Sequence, residues 1–436
     1  MRVAIATLGC KVNRYDTASI ETRLEGEGYE VVPFASGADV YIVNSCTVTD
    51  RADAESRQLV RRARRLNAAA RVIMTGCFAQ INPRAAAIPE VDHVVGLNRL
   101  GDVMRAVRGE MAAAGERIVA DDLRTARQVK TLGAETFTGQ TRAFLKIQEG
   151  CDLFCTFCIV PFARGRSRSV PPRQVLQQLE RLVARGFREV VLTGVHLGGY
   201  GADLAPRLDL CDLLEMMVEQ SSLPRIRLSS IDPPEVTPRL LDLLAGAPVL
   251  CPHLHLPVQA GEDAVLRRMR RQYDTRFLRD LGTEIRAKLP EAAIGTDVIA
   301  GFPGESDAQF ETTLELLEAL PLTYFHVFPY SKRAGTTAAK LPDQIGAAAI
   351  TQRARRLRAL GDRKRAAFAR RFLDRCVRVL VEHTAVLASD RLTGYTPNYQ
   401  RVEFPGSPAL ANTEVDVQVL EVRGSRLVGQ AVTSWA

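Results

Sequence analysis

The run GCDLFCTFC, Gly150 to Cys158, constrains this chain more than any other stretch, because it sets Cys151, Cys155 and Cys158 in a C-x3-C-x2-C spacing. Three thiolates that close together meet on one compact metal centre only where the backbone loops. An ordinary cubane iron–sulfur cluster takes four cysteine ligands, and the nearest later cysteine, Cys211, lies in a segment that reads as a helix. A three-cysteine cubane leaves one iron open to something that is not protein. That vacancy points to an enzyme rather than a passive electron carrier. Zinc, the competing reading, wants four protein ligands in a structural site, usually as two separated pairs.

The N-terminal third repeats the theme in another form. Three apolar runs each end in a cysteine: VAIATLGC at Cys10, VYIVNSC at Cys46 and RVIMTGC at Cys77. Short apolar runs alternating with helical stretches (Thr17 to Glu27, Asp53 to Leu66) indicate βαβ units and a parallel sheet over residues 1–112. In such a sheet the strands' carboxyl ends share one edge, where ligands bind. Each cysteine alone reads as a buried thiol, but together they predict a second three-thiolate site.

Residues 113–136 are polar and aperiodic and read as a linker. Residues 137–370 then repeat strand and helix, with strands at AFLKIQ, EVVLTGV, RIRLSSI, HLHLPVQ, AIGTDVIAGF and YFHVFPYS. The expectation is an α/β fold whose centre is a partial, open (β/α)6 barrel, with its chemistry in the loops after the strands. Cysteines 151, 155 and 158 follow the first of these strands. Thr193, Gly194, Ser229, Ser230, Gln259 and Asp297 sit near later strand ends and are candidate cofactor contacts. Glycine allows close backbone approach, and the polar groups suit a ribose or a carboxylate. His253 and His255 alternate with leucines, so both are expected inside the barrel as satisfied histidines.

Residues 371–436 read as short alternating strands punctuated by Gly, Pro and Asn, which suits a small all-β barrel. Barrels of this kind often bind oligonucleotides, and Tyr395, Tyr399 and Phe404 near Arg391 and Arg401 are candidates to stack on RNA. The net charge of +8 permits a polyanionic partner. Arg164, Arg166 and Arg168 are candidates to hold its backbone. Nine cysteines form no even disulfide set, the opening MRVAIATLGC reads as a buried strand rather than a signal peptide, and no run has membrane-spanning length. A cytoplasmic protein with no membrane contact is expected.

Several motifs are more specific: LGCKVNRYD from Leu8, VNSCTVTDRAD from Val43, GCDLFCTFCIVPFARG from Gly150, LHLPVQAG from Leu254, DVIAGFPGE from Asp297 and HVFPYSKRAGT from His326. Across nearly the whole chain they resemble the methylthiotransferase family of radical S-adenosylmethionine (SAM) enzymes. Phe157, just before the third cysteine, belongs to this likeness and is a further candidate contact. The GCKVN opening looks most like the branch acting on N6-threonylcarbamoyladenosine beside the tRNA anticodon, and the C-terminal barrel looks like a TRAM domain. The resemblance implies two 4Fe–4S clusters, one on Cys151, Cys155 and Cys158 with SAM at its open iron, the other on Cys10, Cys46 and Cys77. It implies tRNA as partner and carbon 2 of the adenine as the target, whose hydrogen is non-acidic and therefore asks for homolytic removal. Ser45 and Ala260 depart from the family's usual Thr and Ser. A sister branch acting on N6-isopentenyladenosine or on a ribosomal-protein side chain, and a non-catalytic iron–sulfur RNA-binding protein, are the alternatives.

Overall fold

In a computed structural model, residues 1–130, 133–220, 222–382 and 391–432 are described. Expected strand residues from His383 to Ala385, and the end of the chain from Thr433, lie outside them. The N-terminal sheet contains β1 (Arg2–Thr7), β2 (Glu30–Val32), β3 (Val40–Ser45), β4 (Arg71–Gly76), β5 (His93–Val95) and β6 (Ile118–Val119), in the order β2-β1-β3-β4-β5-β6. All its pairings are parallel. The apolar runs are continuous because both faces are covered. Val3, Val40, Ile42 and Ile73 pack with Ile20 and Leu24 of the helix Lys11–Gly26, while Tyr41, Val43, Val72 and Met74 pack with Val60 and Ala63 of the helix Asp50–Leu66. The segment expected to be a linker is partly structural. Ile118 and Val119 add the sixth strand, and Leu123 and Ala134 are buried. Two or three apolar residues at a time are too few to show a period.

The central unit starts with β7 (Arg142–Lys146), followed by a short pair, β8 (Gln148–Glu149) and β9 (Arg168–Ser169). Then come β10 (Glu189–Thr193), β11 (Arg225–Leu228), β12 (His253–Gln259), β13 (Ala293–Ala300) and β14 (Tyr324–Pro329). β7, β10 and β11 form one parallel sheet and β12, β13 and β14 another. The bridges Ile226–Leu250 and Ser230–His255 join the two. Six strands therefore follow one another in chain order around an open barrel, as expected.

The helix Ala347–Arg370 leads into a closed five-stranded barrel of β15 (Cys376–Val381), β16 (Arg391–Tyr395), β17 (Arg401–Pro405), β18 (Glu414–Arg423) and β19 (Arg426–Ala431). Phe404 is fully buried in its core beside Val379, Val402 and Leu427, so it has no face for RNA. Tyr395 and Tyr399 stack on each other at 5.0 Å and turn toward the central unit, with Arg142 over both rings at 4.7 and 5.3 Å and His253 at 5.0 Å from Tyr399. These residues sit at the amino ends of the central strands, so the small barrel caps the end of the lumen opposite the strand-end loops.

Buried charge secures the cap. Arg227 donates to Glu189 at 2.6 Å and to the Pro397 carbonyl at 2.7 Å, and Arg225 donates to Glu414 and the Tyr395 carbonyl, each at 2.7 Å. Glu189 is fully buried, and its carboxyl lies below the usual range because Arg227, Arg142 and Arg225 outweigh the opposing effect of burial. Arg227→Met leaves that carboxylate with only the more distant Arg225 and Arg142. The expected cost is about 3–5 kcal/mol, as for other buried pairs that lose one partner. A urea midpoint displaced by less than the equivalent of about 1 kcal/mol would contradict it.

Two cysteine triads facing one barrel lumen

Glycine–cysteine steps place three of the six candidate sulfur ligands. Gly9 has φ +95°, and a Cβ there would lie 2.9 Å from both Cβ and Sγ of Cys46. The close approach that brings Cys46 against Cys10 is therefore open only to glycine. Gly150 has φ +76°, and a Cβ would meet the Arg166 carbonyl at 2.0 Å. Gly76, before Cys77, turns with the same sign of φ.

Cys10 is the N-cap of the helix Lys11–Gly26, Cys46 follows β3, and Cys77 opens the helix Cys77–Ile81. The strand ends that carry them come together: Gly9 lies against Cys46, and Asn13, three residues after Cys10, reaches Cys77 Sγ at 3.7 Å and the Ser45 carbonyl at 3.0 Å. In the second triad, the Leu153 amide lies 3.5 Å from Cys151 Sγ, and the Cys158 amide donates to the Cys155 carbonyl at 3.0 Å, folding the loop on itself. Burial pushes the thiols of Cys77, Cys151 and Cys158 up to about 12. A metal that takes them must displace their protons. All nine cysteines are free. The other three lie elsewhere, Cys211 in the helix Leu210–Gln220, Cys251 beside Arg227, and Cys376 at the start of β15. Each triad thus offers three thiolates and no fourth cysteine, which is the donor set that a cubane with one open iron requires.

The two triads are linked through a common seam where both sheets end. Arg164, 2% exposed, donates through Nε to Cys77 Sγ at 3.3 Å, through Nη1 to Glu149 at 2.7 Å, and through Nη2 to Asn13 at 2.6 Å and Asp16 at 2.9 Å. Lys146 donates to Asp16 at 2.6 Å and Glu149 at 2.9 Å. Burial pushes the Glu149 carboxyl up, but Arg164 and Lys146 outweigh it and bring it down to about 2. Farther along the seam, Arg333 donates to Thr47 and Asp53, each at 2.7 Å, and pairs with Asp50. Arg271 donates to Cys155 Sγ at 3.1 Å and pairs with Asp232.

Arg164 and Arg168 are buried, so neither is available to an RNA backbone; Arg166 is exposed and paired with Asp152. Of the other candidates, Thr193 and Ser229 are buried at the ends of β10 and β11, whereas Ser230 is exposed. Gly194 packs on Gln148, whose Oε1 accepts the Val195 and His196 amides at 3.0 and 2.8 Å. Phe157 meets Phe302 edge-on at 6.5 Å. Gln259 has φ +69° and pairs with Val298 in β13.

Asp297 lies within a lumen cluster that the sequence only half disclosed. Its Oδ1 accepts from His255 Nε2 at 2.9 Å and His326 Nδ1 at 3.2 Å. Burial would raise this carboxyl, but the two histidines hold it well below the usual range. Tyr324 Oη bonds His253 Nε2 at 2.8 Å and His255 Nδ1 at 3.3 Å, so His255 is satisfied at both ring nitrogens as expected, whereas the buried His253 Nδ1 has no hydrogen-bond partner among the described residues. Among the described residues, His255, Asp297 and His326 are the one set of three such donors gathered within 4.8 Å. Sequence reasoning missed Lys11, whose electrostatic neighbours are Tyr399, Arg227, Arg142 and Asp297. Its position directly after a candidate ligand cysteine was the available signal.

The chain is similar to known proteins over most of its length. Residues 2–96 match the family described as Uncharacterized protein family UPF0004, and residues 145–317 match the Radical SAM superfamily. The chain is 39% identical to Threonylcarbamoyladenosine tRNA methylthiotransferase MtaB of Bacillus subtilis, over 96% of this chain and 94% of the relative. It is 37% identical to the protein of the same name from Aquifex aeolicus, over 92% and 98%. It is also 35% identical to tRNA-2-methylthio-N(6)-dimethylallyladenosine synthase of Geobacter metallireducens, over 98% and 97%. Among solved structures, the radical S-adenosylmethionine methyltransferase TsrM of Kitasatospora setae shares the fold with TM-score 0.53 and 17% identity, over 75% of this chain and 74% of that one.

Gly150→Ala tests the cysteine loop. A side chain at positive φ costs about 1–3 kcal/mol, and the collision with the Arg166 carbonyl adds to it. Chemical unfolding should register at least that loss, and an unchanged midpoint would show that the loop relaxes without penalty.

Proposed function

The chain belongs to the radical SAM tRNA methylthiotransferase family, and from that premise we propose that it methylthiolates carbon 2 of N6-threonylcarbamoyladenosine beside the tRNA anticodon, in the cytoplasm. Cys151, Cys155 and Cys158 would hold one 4Fe–4S cluster and Cys10, Cys46 and Cys77 the other. With SAM on the first, these groups supply the one-electron chemistry that removes the carbon 2 hydrogen and the sulfur and methyl group that replace it.

The observation that carries the choice of nucleoside is Lys11. Its side chain is half-buried among lumen groups, and among the described residues it has no ion pair or hydrogen bond. Burial, with Arg227 and Arg142 nearby, pushes the ammonium's pKa down despite the opposing pull of Tyr399 and Asp297, so it is only partly compensated. A threonylcarbamoyl group ends in a carboxylate that supplies the missing partner. An isopentenyl group is a hydrocarbon and would leave the ammonium desolvated and unpaired. Lys11 also adjoins Cys10, so a nucleoside held there by its N6 substituent keeps its ring near the N-terminal triad. Tyr399 and the small barrel exclude water from the far end of the lumen, while Asp297, His255 and His326 line one wall.

Lys11→Gln removes one charged hydrogen bond, worth about 1.5–3 kcal/mol. The expected result is a fall of about 10- to 150-fold in kcat/KM on an anticodon stem-loop carrying the threonylcarbamoyl group, with no comparable fall on the isopentenyl substrate. Equal losses on both, or a wild-type preference for the isopentenyl stem-loop, would overturn the assignment. Cys46→Ala should lower the iron content from about eight to about four. It should keep SAM cleavage and abolish the methylthio product, as read by nucleoside mass spectrometry. Loss of SAM cleavage together with product would refute the division of labour between the triads.

A further inference from the structure

Each cysteine triad receives one hydrogen bond from a buried arginine of the central unit, Arg164 to Cys77 and Arg271 to Cys155. We propose that Arg164 is a positioning residue that raises the reduction potential of the centre on Cys10, Cys46 and Cys77 and holds it in register with the centre on Cys151, Cys155 and Cys158. This rests on the two-cluster reading above.

Three of the Arg164 contacts fix the guanidinium and leave the fourth aimed at sulfur. Asn13 cannot turn away, since its Nδ2 donates to the Leu8 carbonyl at 2.8 Å and the Ser45 carbonyl at 3.0 Å, which leaves Oδ1 to Arg164. Asp16 and Glu149 hold the two Nη groups. A planar guanidinium held at both Nη groups has no freedom left at Nε, and Nε points to Cys77 Sγ. Charge balance does not require that contact, because Lys146 and Arg164 already match Asp16 and Glu149 two against two. Hydrogen bonds to cluster sulfurs are among the features that set the potential. A buried cationic donor favours the reduced, more negative state, and the low local dielectric strengthens the effect. The backbone completes the link. The Gly165 carbonyl, one residue on, accepts the Cys151 amide at 3.1 Å. Residues 164 and 165 therefore touch a ligand cysteine of each triad.

The test uses anaerobically loaded full-length protein, with each centre's potential read by electron paramagnetic resonance during redox titration. The centre that responds to added SAM is the one on Cys151, Cys155 and Cys158. Arg164→Gln should shift only the other centre to lower potential, by at least a tenfold change in its reduction equilibrium, about 59 mV for one electron. Arg164→Lys should recover part of that shift, and Arg271→Lys should move only the SAM-responsive centre. An unchanged potential in an Arg164→Gln protein holding both clusters would overturn the proposal, as would equal shifts at both centres. Where Arg164→Gln loses iron, Arg164→Lys decides in the same way, and an unmoved potential there is equally fatal. A wild-type protein with about four irons would instead sink the two-cluster reading, and the proposal with it. The iron count separates that failure before any variant is made.

Discussion

Two parallel sheets from different parts of the chain must meet carboxyl end to carboxyl end, and buried charge at the seam makes them do so. Asp16 belongs to the N-terminal unit and Lys146, Glu149 and Arg164 to the central one; all four are nearly inaccessible to solvent. Such a network contributes little net stability, because desolvation offsets much of its Coulomb gain. What it contributes is register, since few other alignments of the two sheets would pair every charge. The Arg333 contacts with Thr47, Asp50 and Asp53 repeat the device beside Cys46. Hydrophobic packing alone is non-directional and would not set the separation of two sulfur triads this way.

Much of this was legible in the chain. Apolar runs ending in glycine and cysteine disclosed both the strands and the edge on which the sulfurs gather, because a buried parallel strand and a left-handed turn each demand narrow residue types. The six central strands were legible for the same reason. The arginines were misread. Arg164, Arg166 and Arg168 stand in a polar run that suggests a solvated loop, yet Arg164 closes the short helix Val160–Arg164, whose other members include buried Pro161 and Ala163. A cation on an apolar helix face was the clue that its partners lay inside. Those partners, Asn13, Asp16 and Glu149, come from distant parts of the sequence, and no local pattern announces such a meeting.

The aromatic residues of the C-terminal barrel were misread for a related reason. Tyr395 and Tyr399 beside arginines look like a stacking platform for bases, and they are a stacking platform, but the cations above them are Arg142 and Arg227 of this same chain. Composition reports which chemistry is available and is silent on whether the partner is internal.

That internal docking changes what the last sixty or so residues are for. An appendage that merely gripped RNA could be clipped off at the expense of affinity alone. Here the clipped chain would lose the floor of its central lumen: Glu189, Arg225 and Arg227 would be hydrated from below, His253 and Tyr324 would be laid bare, and bulk solvent would gain a back door to the barrel interior. Turnover in a shortened enzyme would then report leakage as much as grip.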